Sequence, residues 1–142
     1  MKISLIRVFV FLISLTLSKQ VLASNLRFQQ CNSNDPGQFW NIDAVDGRKV
    51  VLYSYGKDRC LNDLLNWERC SGGDHYQHWH VDRVFNDLHV FFSVVKGKCL
   101  NHNLGWSTCD GSDINQLWKL QSVNGGRSKL IIRNQSICLR NG

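Results

Sequence analysis

The most constraining feature of this chain is the spacing of its six cysteines. They lie at positions 31, 60, 70, 99, 109 and 138, so the intervals between neighbours are 29, 10, 29, 10 and 29. Any two consecutive intervals therefore add up to the same period of 39. A fixed period of this length indicates that one supersecondary unit is repeated along the chain.

A second series of residues has the same period of 39. Three Gln-x-Trp triplets share it: Gln38-Phe39-Trp40, Gln77-His78-Trp79 and Gln116-Leu117-Trp118. Aromatic and aliphatic positions also follow it: Phe28, Trp67 and Trp106; Leu26, Leu65 and Leu104; Leu61, Leu100 and Leu139. The superposition needs no gap, and three such units account for nearly all of positions 24–142. The sequence therefore predicts three tandem copies of one unit.

The repeat also predicts how the cysteines pair. Within the chain, two cysteines are each followed by another ten positions later, whereas Cys138 has no cysteine after it. Cys138 is the equivalent of Cys60 and Cys99, so its partner would be the equivalent of Cys70, which is Cys31 at the other end. Of the fifteen possible pairings, the repeat favours one: Cys60–Cys70, Cys99–Cys109 and Cys31–Cys138. The alternative of a zinc site has poor ligand spacing, because the sequence contains no C-x-x-C pair.

Local patterns predict an all-β fold. Residues 89–95 and 129–132 are short β-branched or aromatic runs, and turn-forming residues precede such runs: Asp46-Gly47, Asn86-Asp87 and Asn124-Gly125-Gly126. Three all-β units of this size suggest either propeller blades or a three-fold β-trefoil. Three blades are too few to close a propeller. We therefore expect a β-trefoil, in which six strands form a barrel and six cap it.

The N-terminus has the pattern of a secretory signal peptide. Lys2 and Arg7 flank the start of an apolar run over residues 8–17, and small or aliphatic residues precede a cleavage point after Ala23. This run is too short to cross a bilayer, which takes about 20 apolar residues. We expect residues 1–23 to be removed and residues 24–142 to form one secreted domain, without membrane insertion, in a compartment where disulfides persist.

Charge and motifs argue against several classes of function. The net charge is +6, but from Ser24 onward fourteen basic residues face eleven acidic ones, a net of +3. This excess is too small and scattered to indicate nucleic-acid binding. No G-x-S-x-G, H-E-x-x-H or P-loop motif occurs, so we expect neither enzymatic activity nor a cofactor.

The pattern Cys-Leu-Asn, Cys, Gln-x-Trp, repeated in tandem over residues 25–142, resembles the ricin B-type lectins. Their β-trefoil carries a three-fold Gln-x-Trp signature. The resemblance implies that the Trp residues pack the core and that the Gln side chains bond backbone groups. It also implies a shallow sugar pocket in one or more repeats, where a polar residue two positions after the first Cys holds sugar hydroxyls. An Asn or Gln at the Gln-x-Trp motif and an aromatic ring assist it.

The resemblance places candidate sugar-binding residues by position. The third repeat matches best and offers four: Asn101, Trp106, Asn115 and Gln116. The second repeat offers Asn62, Trp67, Tyr76 and Gln77, with Asp63 beside them. The first combines Arg140 with Phe28, Gly37 and Gln38 and offers fewer groups suited to binding a sugar. Trp67 and Trp106 lie three positions before the second Cys, where the family's ring commonly lies two before it, so a place in the core is the alternative for them.

Two further features have less specific meanings. His75, His78 and His80 surround Trp79, and on a regular strand the last two histidines would share the outer face. There they could bind a metal, although they also fit an ordinary protein surface. Asn134-Gln135-Ser136 is an N-glycosylation sequon, which applies only if the source is eukaryotic.

Together these features predict a secreted lectin that binds galactose- or N-acetylgalactosamine-type glycans on cell surfaces or glycoproteins. The chain would act alone or as the targeting subunit of a separate toxin or effector chain. The alternative is a secreted β-trefoil that interacts with proteins, such as a protease inhibitor, and binds no sugar.

Overall fold

The computed structural model describes residues 26–123 and 126–142, which form an all-β fold with three disulfides. The predicted signal peptide, residues 1–23, lies outside the described residues, as do Asn124 and Gly125 of the third predicted turn. Twelve strands occur in the described part: β1 Arg27–Gln30, β2 Trp40–Asp46, β3 Lys49–Ser54, β4 Arg59–Leu61, β5 Trp67–Glu68, β6 Trp79–Phe85, β7 Leu88–Ser93, β8 Lys98–Leu100, β9 Trp106–Ser107, β10 Trp118–Ser122, β11 Lys129–Asn134 and β12 Ile137–Arg140.

All the strand pairs in this part of the chain are antiparallel, and the longest ladders are hairpins. β2 pairs with β3, β6 with β7, and β10 with β11. The first two hairpins turn at the predicted positions, where Gly47 and Asn86 have φ values of +54° and +49°. The first and last strands, β1 and β12, also pair, with Arg27 opposite Arg140. The two ends of the described chain therefore lie side by side.

The third hairpin is out of phase with the other two by one residue. Trp40 lies opposite Ser54, and Trp79 lies opposite Ser93. Asn41 lies opposite Tyr53 and His80 opposite Phe92, but the corresponding Lys119 of β10 lies opposite Ile132 of β11. The superposition without gaps is therefore wrong in this hairpin, because Ile132 and not Ile131 takes the position of Tyr53 and Phe92. A bulge follows in β11 between Ile132 and Asn134.

Three tryptophans form the centre of the core. Trp40, Trp79 and Trp118 are fully buried, and each indole Nε1 donates a hydrogen bond of 3.1 Å to a leucine carbonyl. The acceptors are Leu139, Leu61 and Leu100, respectively. Each indole also packs beside a second aromatic ring, at centroid distances of 5.4 Å to Trp67, 5.6 Å to Trp106 and 6.1 Å to Phe28. Because buried indole N–H groups need acceptors, these bonds fix the depth of each ring.

The predicted disulfide pairing is confirmed. Cys31 bonds to Cys138 across 107 residues, and the other two bridges, Cys60–Cys70 and Cys99–Cys109, each span 10 residues. Three such bridges suggest an oxidising environment. Among the described residues, no helix is long and apolar enough to span a membrane.

Candidate functional site

The three Gln-x-Trp glutamines are structural side chains. Each lies in a short 3-10 helix (Pro36–Gln38, His75–Gln77, Ile114–Gln116) that begins after an aspartate cap. Their Nε2 atoms donate 2.9 Å bonds to carbonyl oxygens, and their Oε1 atoms accept from backbone amides of the adjoining loop. Gln77 and Gln116 are both 1% exposed. Neither side chain is therefore open to a ligand.

A polar cavity of about 370 Å³ lies where the loop after β8 meets the third 3-10 helix, and its volume suits a small ligand. Its lining brings together two of the predicted sugar-binding residues with five polar neighbours: Asn101, Asn115, His102, Asn103, Ser107, Asp113 and Arg133. The backbone supports this arrangement, because the His102 amide donates a 2.7 Å bond to the Asn115 carbonyl. We call this cavity the Asn101 pocket.

Asn101 itself is largely occupied by its own loop. Its Oδ1 accepts hydrogen bonds from the amides of Asn103 (3.2 Å) and Gly105 (3.1 Å), and its Nδ2 donates to Ser107 Oγ at 2.9 Å. An amide nitrogen carries two hydrogens, so one donor remains for a ligand. The loop also holds Leu104 at a φ of +64°, a conformation that costs a non-glycine residue energy and that the Asn101 bonds help to maintain.

The Asn115 side chain, unlike that of Asn101, is not used by its own loop. Its side chain is exposed and forms no hydrogen bond to another described residue. Its backbone amide donates to Asp113 Oδ1 at 2.9 Å, which fixes the position of the residue. The full donor and acceptor capacity of the Asn115 side-chain amide is therefore available at the pocket.

His102 supplies an acceptor. The residue is 7% exposed, and its Nε2 lies 2.7 Å from the Leu117 carbonyl, to which it must donate. Burial lowers the pKa of His102 below its ordinary value, and the nearby Arg133 charge lowers it further against the opposing bond to Leu117. The ring is thus neutral at pH 7, and Nδ1 carries a lone pair.

Arg133, which the sequence did not single out, completes the lining. Its guanidinium carbon lies 4.7 Å from the centre of the Phe28 ring. Its Nε is buried and has no hydrogen-bond partner among the described residues. Only the structure could have identified it, because Arg133 lies at the bulge of β11 between Ile132 and Asn134, which a constant shift of 39 along the sequence does not reveal.

At the second predicted position, the asparagine and its neighbour are used within the fold. Asn62 is 4% exposed, and its Oδ1 accepts from the amides of Leu64 and Asn66, both at 3.0 Å. Asp63 is also buried, and its carboxylate lies 3.9 Å from the Lys96 amine. Tyr76, by contrast, is exposed. The internal bonds of Asn62 leave its acceptor with no capacity for a sugar hydroxyl.

Trp67 and Trp106 do not act as rings facing the Asn101 pocket. Both are half-buried, and both pack against the central cluster through Trp40 and Trp79. The Lys96 amine lies 5.7 Å from the centre of the Trp106 ring. The structure thus places both residues at the core, the alternative that their spacing from the second Cys allowed.

At the first predicted position, Arg140 fills the space. A Cβ added to Gly37 would lie 2.9 Å from Cζ of Arg140. The guanidinium is held there by Asp35 Oδ2, at 3.0 Å from Nε, and by the Gly142 carbonyl. Burial raises the pKa of Asp35, but bonds from the Gly37 amide and Arg140 outweigh it, and the pKa is lowered.

The histidine cluster differs from its prediction. His78 caps a 3-10 helix rather than lying on the outer face of a strand, is 4% exposed, and has Nε2 at 2.8 Å from the Gly72 carbonyl. The prediction that His78 and His80 share an outer face is wrong, because His78 turns inward before β6 begins. In residues 26–123 and 126–142, no group of three or more metal-ligating side chains is close enough to hold a metal. Asn134 is exposed at the end of β11.

Two other cavities lie away from the candidate residues. One, of about 400 Å³, borders the Cys60–Cys70 bridge and includes Tyr53, Arg59 and Arg69. The other, of about 240 Å³, includes Phe39 and Tyr55. Neither contains a residue predicted to bind sugar. The chain matches no model of a known protein family and no curated protein.

Proposed function

We propose that this chain is a secreted β-trefoil lectin that binds a glycan in the Asn101 pocket. The twelve strands agree in number with a trefoil, and the indole-to-leucine bonds recur at the tryptophan of each Gln-x-Trp triplet. The pairing of β1 with β12 and the Cys31–Cys138 bridge join the ends as a closed three-fold ring requires. These features support the trefoil, and the predicted signal peptide supports secretion.

One observation supports sugar binding above the others. Asn101 and Asn115, which the sequence pattern selects from separate parts of the third repeat, line the same polar cavity. The cavity offers donors from Asn101 Nδ2, Asn115 and Arg133, and an acceptor at His102 Nδ1. Sugar hydroxyls both donate and accept, so a mixed set of this kind suits them better than it suits an apolar ligand.

The lining predicts weak binding at a single site. The Asn101 pocket has no Phe, Tyr or Trp among its described lining residues, so a sugar would lack the usual ring contact with its C–H face. Affinity would then depend on several copies of the chain or on a multivalent glycan. That requirement fits a lectin for cell-surface glycans, either free or delivering a separate effector chain.

A glycan array probed with the purified mature chain tests the proposal. We expect binding to galactose- or N-acetylgalactosamine-containing glycans, and we expect Asn115→Ala to abolish it without changing thermal stability. The matched control is Asn34→Ala, because Asn34 is exposed, lacks a positive φ and does not line the pocket. Binding by wild type and Asn115→Ala alike, or by neither, contradicts the proposal.

The second candidate function is protein binding, which a separate feature favours. Leu64 and Tyr76 are 65% and 58% exposed, and their loops are joined by the 2.8 Å bond from the Asp63 amide to the Tyr76 carbonyl. Exposed apolar side chains on adjoining loops are typical of interaction surfaces. An array without glycan binding, together with a protein partner lost in Tyr76→Ser, would favour this function.

A further inference from the structure

The charge of Arg133 has no compensating partner in the described structure. The guanidinium of Arg133 forms no hydrogen bond or ion pair to another residue in 26–123 or 126–142, and its buried Nε is unsatisfied. The Phe28 ring covers one face of the guanidinium but accepts no N–H bond in its plane. Arg133 also lines the Asn101 pocket, so an anionic ligand bound there would supply the acceptors that the guanidinium lacks.

Arg133 lines the pocket together with two other ionisable groups, His102 and Asp113. His102 is neutral, because burial and Arg133 lower its pKa. Asp113 keeps its negative charge, but both of its oxygens accept bonds within the fold, Oδ1 from the Asn115 amide at 2.9 Å and Oδ2 from Gln116 Nε2 at 3.1 Å. The guanidinium has no such partner, and guanidinium groups bind carboxylate and sulfate oxygens in a fork geometry.

We propose that Arg133 makes the Asn101 pocket selective for glycans that carry a carboxylate or sulfate group over their neutral counterparts. This inference rests on the proposed glycan-binding function. The anionic oxygens would bind the guanidinium, while Asn115 and His102 Nδ1 contact hydroxyls of the same sugar.

Calorimetric titrations with lactose, sialylated lactose and sulfated lactose test the selectivity and separate its two possible sources. We expect one or both anionic sugars to bind about 10- to 100-fold more tightly than lactose, the range of one charge-assisted hydrogen bond. Arg133→Ser removes the guanidinium and should abolish the preference, so that the anionic sugars bind no more tightly than lactose. Arg59→Ser is the matched control, since it removes an exposed positive charge outside the pocket.

Equal binding of the three sugars by wild type would overturn the inference while leaving the proposed function in place. A preference that survives in Arg133→Ser would also overturn it, since another group would then be responsible. Absence of binding to all three sugars and to the glycan array would reject the proposed function as well. Circular dichroism and thermal melting of each variant confirm that the comparison is made on folded protein.

Discussion

The backbone is arranged alike at the first and third candidate positions, but a side chain fills the first and the third is a cavity. The Asn141 amide donates to the Gly37 carbonyl at 2.8 Å, just as the His102 amide donates to the Asn115 carbonyl at 2.7 Å. At the first position, which we call the closed position, Arg140 occupies the space and is paired with Asp35. At the third, which we call the open position, the space is a cavity. The comparison shows that the backbone provides the position and that the side chains decide whether it is open to a ligand.

The largest expected effect concerns the bridge beside the closed position. Replacing Cys31 and Cys138 by serine should lower the free energy of unfolding by about 5 kcal/mol, because this bridge closes a long loop in the unfolded chain. The same change at Cys99 and Cys109, beside the open position, should cost roughly 3 kcal/mol. Urea denaturation of both double variants measures the difference. Equal losses of unfolding free energy in the two double variants would contradict the expected dependence on loop length.

The two asparagines of the open position should separate stability from binding. Asn101→Ala removes the acceptor of two loop amides and should destabilise the fold by about 1–3 kcal/mol. Asn115→Ala removes no internal side-chain bond and should change stability by less than about 0.5 kcal/mol. Chemical denaturation of both variants, alongside a binding assay, tests this. If Asn115→Ala proved the more destabilising of the two, the assignment of Asn101 to loop support would fail.

Removing the side chain that fills the closed position should lower the free energy of unfolding by an amount that depends on pH. Arg140→Ser should cost about 1 kcal/mol near neutral pH, since it removes a half-buried charged hydrogen bond. The lowered pKa of Asp35 stabilises the fold above the unfolded pKa near 3.8, and this contribution is lost as the pH falls through the folded pKa. The difference between variant and wild type should therefore shrink in acid. NMR titration of Asp35 would show its pKa rise in Arg140→Ser, and an unchanged pKa would contradict the pairing.

The smallest expected effect is the response of the open position to mild acid. Because the folded pKa of His102 lies below 6.5, its contribution to stability is present above pH 6.5 and declines as the pH falls toward the folded pKa. His102→Gln keeps a donor for the Leu117 carbonyl and should flatten stability over this window. Thermal melting on both sides of this pH measures the slope. Equal slopes in the two proteins would mean that His102 does not carry the effect.

The parts of the molecule that depend on spacing could be predicted from the sequence. The cysteine intervals led to the correct pairing, and the Gln-x-Trp period located the three buried indoles. Arg133 could not be identified in this way, because an extra residue in the third hairpin shifts β11 by one position and only strand register reveals the shift. The sequence alone does not determine whether Trp67 and Trp106 pack in the core or contact a ligand, because their exposure depends on tertiary packing.

The central claim is that the Asn101 pocket binds a glycan and that the Arg140 position does not. Titrating sialylated lactose into the ¹⁵N-labelled chain and following backbone and side-chain NMR signals tests it directly. The account predicts that the Asn115 side-chain amide, the Arg133 Nε–H and the His102 amide shift with one common dissociation constant, while Gly37 and Arg140 do not move. Shifts centred on Gly37 and Arg140, or no saturable shift at Asn115, would contradict it.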